Sequence, residues 1–127
     1  MQGKAERILL VEDELEVRTL AREFLEEHGY TVLVASSGGA ALELVEREAG
    51  PIHLLVTDVV MPYMSGPELA SQAMALRPNL KVLYVSGLVG KTVVCEGAVV
   101  PGAVVLHKPF TAEDLASKVR EVLDGTG

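Results

Sequence analysis

The sequence has no tryptophan, one cysteine and few aromatics of any kind, 4% of 127 residues. The lone thiol, Cys95, excludes an intramolecular disulfide and a cysteine-rich metal centre, suits a reducing compartment, and reads as a small buried hydrophobe. Basic residues are outnumbered as well. Eleven Lys and Arg stand against 18 Asp and Glu, a net charge of −7 with no basic stripe, which argues against a nucleic-acid partner. Long apolar runs are missing too: nothing approaches the roughly eighteen uninterrupted residues of a membrane span, and Met1 to Glu6 lack the apolar core of a signal peptide. The expectation is a soluble, cytoplasmic chain that does not insert into a membrane.

What is present suffices for one core. Hydrophobic residues make up 49% of the chain and charged residues 23%, and the length fits one domain, 1–127, with a core over about 6–124. Five apolar runs of strand length recur, Ile8 to Val11, Thr31 to Ala35, Ile52 to Val56, Val82 to Val85 and Ala103 to Leu106, rich in β-branched residues. Most are continuous rather than alternating, as in strands buried on both faces of a parallel sheet. Between them lie amphipathic helices: Val17, Leu20, Ala21, Phe24 and Leu25 at helical spacing before Gly29; Ala41, Leu42, Leu44 and Val45 after Ser36 and Ser37; a capping box at Ser65-Gly-Pro-Glu68 ahead of Leu69, Ala70, Ala73 and Met74; and a similar start at Thr111-Ala-Glu-Asp114. The pattern is βαβαβαβαβα, an α/β class. The fourth crossover, Gly87 to Gly97, is rich in Val and Gly, so its helix is expected to be short or irregular.

Polar residues fall where the apolar runs stop. Glu12 and Asp13 follow the first, Asp58 the third, Ser86 the fourth, and His107 with Lys108 the fifth. In an open parallel sheet, ligands bind beyond the carboxyl ends of the strands, so these residues are expected to converge. Any one of them alone reads as a turn residue or helix cap; the set reads as a site. Three crowded carboxylates repel one another unless a cation neutralises them. Mg2+, with Mn2+ as a substitute, suits such a site better than Zn2+ or Ca2+, because it takes one or two carboxylates, waters and phosphate oxygens. Asp58 is then the nucleophile that forms an acyl phosphate. Lys108 neutralises phosphoryl oxygens and Ser86 donates a hydroxyl hydrogen bond.

At these residues the chain resembles the response-regulator receiver domains of two-component signalling over essentially its whole length. Ile8-Leu-Leu-Val-Glu-Asp13 is similar to the acidic-pair motif, Leu55-Val-Thr-Asp-Val-Val-Met-Pro62 to the phosphoacceptor segment, Ser86-Gly87 to the hydroxyl switch and Lys108-Pro-Phe110 to the lysine motif. Asp58 to Gly66 and Lys81 to Gly87 look most like the receiver at the C-terminus of hybrid sensor histidine kinases. The resemblance implies a flavodoxin-like three-layer sandwich of strand order 2-1-3-4-5, a phosphohistidine donor on a histidine kinase or histidine phosphotransfer protein, and a monomer or weak homodimer. It also implies a Mg2+ ligand in the Val60 backbone carbonyl and a cis Lys108-Pro109 peptide.

Two departures stand out. Val105 occupies the position where the family often has an aromatic switch residue, which leaves the coupling between Ser86 and an inward-swinging ring open. Tyr84, two residues before Ser86 on the same strand face, is the candidate for a switch role nearby. Leu88 to Gly97 replaces a polar, acid-capped helix start with Leu-Val-Gly-Lys, and is expected to be mobile and either to order on phosphorylation or to pack its Val-rich surface against another protein. Val60 and Leu88, apolar on either side of the phosphoryl position, imply slow self-dephosphorylation.

Other residues read as bystanders. His28, His53 and His107 are expected to be exposed or packed; Met61, Met64 and Met74 to be loop and core filler; Gly38-Gly39 to be a turn, because a phosphate loop needs a lysine and hydroxyl that are absent. A haloacid-dehalogenase-like phosphatase also uses an aspartyl nucleophile and Mg2+, but resembles a pattern with a second Asp at the position of Val60, the acid that protonates the leaving group. A binding-only pseudo-receiver usually loses members of the acid cluster, whereas Glu12, Asp13, Asp58, Ser86 and Lys108 are all present.

Overall fold

The first four strands each end at, or one residue before, a carboxylate or hydroxyl: Glu12, Ser36, Asp58 and Ser86. In the computed structural model, residues 6–59, 63–86, 104–107 and 110–124 are described, Ser86 and His107 by their backbone alone. Strands β1 (Arg7–Val11), β2 (Thr31–Ala35), β3 (Leu54–Asp58), β4 (Lys81–Ser86) and β5 (Val104–His107) form one parallel sheet of order β2-β1-β3-β4-β5. The helices among the described residues are α1 (Leu15–Glu27), α2 (Gly38–Arg47), α3 (Gly66–Leu76) and α4 (Ala112–Leu123).

The helix boundaries follow local chemistry. Ser37 Oγ accepts from the Ala40 N–H, and reciprocal capping boxes join Ser65 to Glu68 and Thr111 to Asp114. α1 lacks a side-chain cap at Glu14 but has Glu16 in its first turn, and it ends at Gly29, whose φ of +94° favours glycine. α3 stops at Arg77, the residue before Pro78.

The strand period of two sorts the core into two layers. Leu9, Val11, Leu55 and Tyr84 pack with Ala41 and Val45 of α2 and Leu69, Ala70 and Ala73 of α3. Ile8, Leu10, Leu54, Val56, Leu83 and Val85 pack with Leu25 of α1 and Leu115 and Val119 of α4. This is the expected three-layer sandwich, with helices on both faces of the sheet.

Two expectations need correction. The third strand runs two residues later than its apolar run: the ladder opposite β1 starts at Leu54, and Asp58 is the last strand residue, paired with Val85 of β4. Gly38 and Gly39 are not a turn but the first two residues of α2, because the Ser37 cap starts the helix ahead of them. Tyr84 is buried, because α2 and α3 cover that face of β4. The expected fourth-crossover helix and Leu88 to Gly97, with Cys95, lie outside the described residues, as do Val60, Met61, Lys108 and Pro109.

Candidate functional site

β1 and β3 are neighbours although most of two βα units separate them in sequence, and their register sets Val11 beside Thr57. The next residue of each strand is an acid, so Glu12 and Asp58 emerge side by side at the carboxyl end of the sheet. Both are buried, 4% and 6% exposed, while Asp13 is exposed. Carboxylate oxygens of Glu12, Asp13 and Asp58 all lie within 4.8 Å of one another. The sheet order thus brings together the acids of two distant motifs.

The backbone under the acids is held closely. The Glu12 N–H donates to the Ala35 carbonyl at 3.1 Å, extending the β1–β2 ladder by one residue. Glu12 Oε2 accepts from the Glu14 N–H at 3.2 Å, and the Glu12 carbonyl accepts from Arg18 Nη1 at 2.7 Å. Beside Asp58, buried Thr57 donates its hydroxyl to the Asp58 carbonyl at 3.1 Å. Below the carboxylates the floor is close-packed and apolar. Val17, Ala21, Val56, Val85, Phe110 and Leu115 surround a residual cavity of only about 10 Å³, at the lower limit for one water.

The described end of the β3–α3 connection packs back on the strand end that carries Asp58. There the Gly66 N–H donates to the Val59 carbonyl at 2.8 Å. A Cβ at Gly66 would lie 2.1 Å from the Asp58 carbonyl oxygen, so only glycine allows this approach. A Cβ at Gly38 would lie 2.7 Å from Met64 Sδ, so the same connection is wedged against the start of α2. Tyr63 sits in it at φ +69°, a left-handed conformation uncommon for a non-glycine residue, with its side chain fully exposed.

Of the residues expected at the site, Glu12, Asp13 and Asp58 come together. Ser86 ends β4 with its backbone opposite His107, and its side chain, like Lys108 and the Val60 carbonyl, lies outside the described residues. Tyr84 and Val105 are register partners on adjacent strands and share the α2–α3 layer, where the Tyr84 ring is buried beside partly buried Val105. Burial raises the Tyr84 phenol above its ordinary pKa. His53 is partly buried and His28 exposed, the placements expected of them. His53 Nδ1 accepts from the Arg7 N–H at 2.9 Å at the opposite end of the sheet, and His28 caps α1 with Nδ1 3.1 Å from the Phe24 carbonyl. Met64 and Met74 pack against the core as expected.

Two contributors were not singled out from sequence. Gly66 was noticed only as part of a capping box, and Arg18 not at all. The signal for Arg18 was a cation near the start of a helix that directly follows two acids, where the backbone dipole disfavours it.

A parallel three-layer α/β domain that gathers three carboxylates beyond strands β1 and β3 defines a class of small acidic-pocket domains. The comparisons narrow that class. The family model for the response regulator receiver domain matches residues 8–120. Response regulator receiver protein CpdR of Brucella abortus is 37% identical over 92% of this chain and 96% of that protein. Sensor kinase CckA of the same organism is 38% identical over 92% of this chain, which spans only 12% of that protein. Among solved structures, the receiver domain of hybrid histidine kinase CckA superposes with a TM-score of 0.77 at 38% identity, over 92% of this chain and 98% of that one. A receiver protein from Sinorhizobium medicae gives 0.84 at 29% identity, over 96% of this chain and 97% of that one. The chain belongs to the response regulator receiver family of two-component signalling. The expected likeness to hybrid-kinase receivers holds. Among the described residues no helix is long and apolar enough to cross a membrane.

Proposed function

We propose that this receiver accepts a phosphoryl group on Asp58 from the phosphohistidine of a histidine kinase or histidine phosphotransfer protein in the cytoplasm, in a Mg2+-dependent transfer. One observation carries the reading: in a chain of this family, Glu12, Asp13 and Asp58 offer oxygens within 4.8 Å of one another, two of the three acids being buried. That donor set fits a hard cation such as Mg2+, or Mn2+ in its place, with Glu12, Asp13, Asp58 and the Val60 carbonyl as protein ligands. When bound, the ion neutralises the crowded acids and draws charge from phosphoryl oxygens.

The remaining work belongs to the chain. An Asp58 carboxylate oxygen attacks phosphorus, the histidine N–P bond breaks, and its electron pair returns to the imidazole nitrogen, leaving an aspartyl phosphate. Lys108 pairs with phosphoryl oxygens and Ser86 donates its hydroxyl to one of them. The close-packed floor of Val56, Val85, Phe110 and Leu115 keeps water from beneath the anhydride. With Val60 two residues beyond Asp58, the second acid that protonates a leaving alcohol in haloacid-dehalogenase-like phosphatases is missing, which favours a phosphoacceptor over a hydrolase, and apolar Val60 and Leu88 favour slow self-dephosphorylation.

For a partner, α1 turns Leu15 and Leu20 outward beside the pocket, and a groove of about 360 Å³ between α1 and α4 is lined by Leu20, Phe24, Phe110 and Leu115. A protein that brings its phosphohistidine to Asp58 has apolar surface there to bury. The test is incubation with a small phosphodonor and Mg2+ followed by intact-mass measurement. Wild type gains one phosphoryl group and Asp58→Asn gains none; wild type without an adduct supports the binding-only pseudo-receiver instead.

A further inference from the structure

Glu12 and Asp13 are consecutive, so a single peptide unit joins them and its orientation sets where both side chains begin. That unit is gripped through its carbonyl. Arg18, half-buried on α1, turns its guanidinium back and donates from Nη1 to the Glu12 oxygen at 2.7 Å, within the short range of charge-assisted hydrogen bonds. Together with the Glu12 N–H bonded to Ala35 and Oε2 capping the Glu14 N–H, this fixes the chain on both sides of the acidic residue. The placement of Arg18 runs against the helix dipole, which disfavours cations near the start of α1. Helix stability therefore does not account for it.

We propose that Arg18 is a positioning residue for the metal pocket. It holds the Glu12–Asp13 peptide so that the two carboxylates already stand within 4.8 Å of each other and of Asp58 before a cation arrives. The inference rests on the reading that this pocket takes Mg2+. It makes the opposite forecast from a purely electrostatic role. Removing a cation that only repels the metal tightens metal binding, whereas removing one that aligns the ligands weakens it.

Mn2+ titration followed by electron paramagnetic resonance reads this directly on the whole chain. Arg18→Met keeps the aliphatic stem and weakens Mn2+ binding by about tenfold, the lower end of the effect for groups that orient metal ligands. Arg18→Lys, whose ammonium donates to the same carbonyl, stays within about threefold of wild type. If Arg18→Met does not fold, as judged by its metal-free melting, Arg18→Gln takes its place. As a second readout, the Mg2+ concentration for half-maximal phosphorylation by a small acyl phosphate rises by the same factor while the rate at saturating Mg2+ is unchanged. Equal or tighter Mn2+ binding in Arg18→Met, or a lowered rate that Mg2+ does not restore, overturns the proposal. The two readings fail separately. A wild type that binds Mn2+ but forms no aspartyl phosphate refutes the phosphoacceptor alone, and one that binds Mn2+ no better than Arg18→Met refutes the role of Arg18 alone.

Discussion

The two ends of the sheet treat charge in opposite ways. At the amino end, arginines meet acceptors that belong to the fold. Arg77 donates to the Val45, Glu48 and Gly50 carbonyls at 3.0, 2.7 and 3.0 Å, tying the end of α2 to the end of α3. Arg7 bonds Glu48 and the Pro51 carbonyl, and Arg120 joins Glu6, Tyr30 and Asp124. At the carboxyl end, three acids are pressed together, and the arginine beside them grips backbone. One end joins opposite charges and carbonyls within the fold; the other gathers like charges at a single rim. The difference teaches where stability is stored and where it is given up.

The amino end is therefore where substitution costs most stability. Arg77→Ala removes three hydrogen bonds from a charged donor and leaves α2 carbonyls to be satisfied by water, a loss of about 3 kcal/mol in urea unfolding. The Mg2+ concentration for half-maximal phosphorylation stays where it was; a shift would mean that the two ends are coupled. Gly66→Ala comes next and touches the other end. Its Cβ would meet the Asp58 carbonyl at 2.1 Å, so the β3–α3 connection must move, costing about 2 kcal/mol. Unlike Arg77→Ala it also slows phosphorylation of Asp58, because the displaced atoms include the backbone of the nucleophile. A variant as stable and as fast as wild type would show that the connection yields freely.

How much of this contrast was legible from sequence depends on the range of the interaction. Strands, their burial on two faces and three of the four described helix starts are written in local pattern, and the acids were recognisable because each closes an apolar run. The amino-end staples were not. Apart from the local Arg120–Asp124 pair, the bonds of Arg7, Arg77 and Arg120 reach residues 27 to 114 positions away, and an arginine carries no mark of which acceptor it will reach. The start of β3 lies later than its apolar run suggests because Ile52, though buried, comes before the ladder begins, and burial alone does not separate a strand from its approach. Gly38-Gly39, expected as a turn, opens a helix although glycine disfavours helices, because a serine cap and close contact with Met64 outweigh that preference.

If the acidic end gives up stability for function, neutralising its nucleophile should return some. Asp58→Asn keeps the shape of the side chain and relieves repulsion with Glu12 and Asp13, a gain of about 1 kcal/mol in metal-free buffer. Mg2+ should then reverse the order, since wild type is stabilised by the ion it binds and the variant has lost a ligand. Melting both proteins with and without Mg2+ checks the crossing; an asparagine variant that is less stable in both conditions would mean that Asp58 holds the fold together more than it strains it.

The smallest effect is expected between the two ends, at Tyr84. Its side chain is 2% exposed, and burial raises its pKa above the ordinary phenol value. The native state therefore keeps this proton to higher pH than the unfolded chain does. The resulting stability is fully present below the unfolded value near pH 10 and is lost as pH rises from there through the folded value. Tyr84→Phe should match wild type to within about 1 kcal/mol at neutral pH and lose stability less steeply above about pH 10, by one proton's worth of slope. Because Tyr84 stands two residues before Ser86 on β4 and beside Val105 on β5, the same measurement after phosphorylation asks whether the acidic end reaches into the core. An alkaline profile that moves with phosphorylation in wild type but not in Tyr84→Phe assigns the phenol a part in the switch, and one that does not move confines the effect of phosphorylation to the rim.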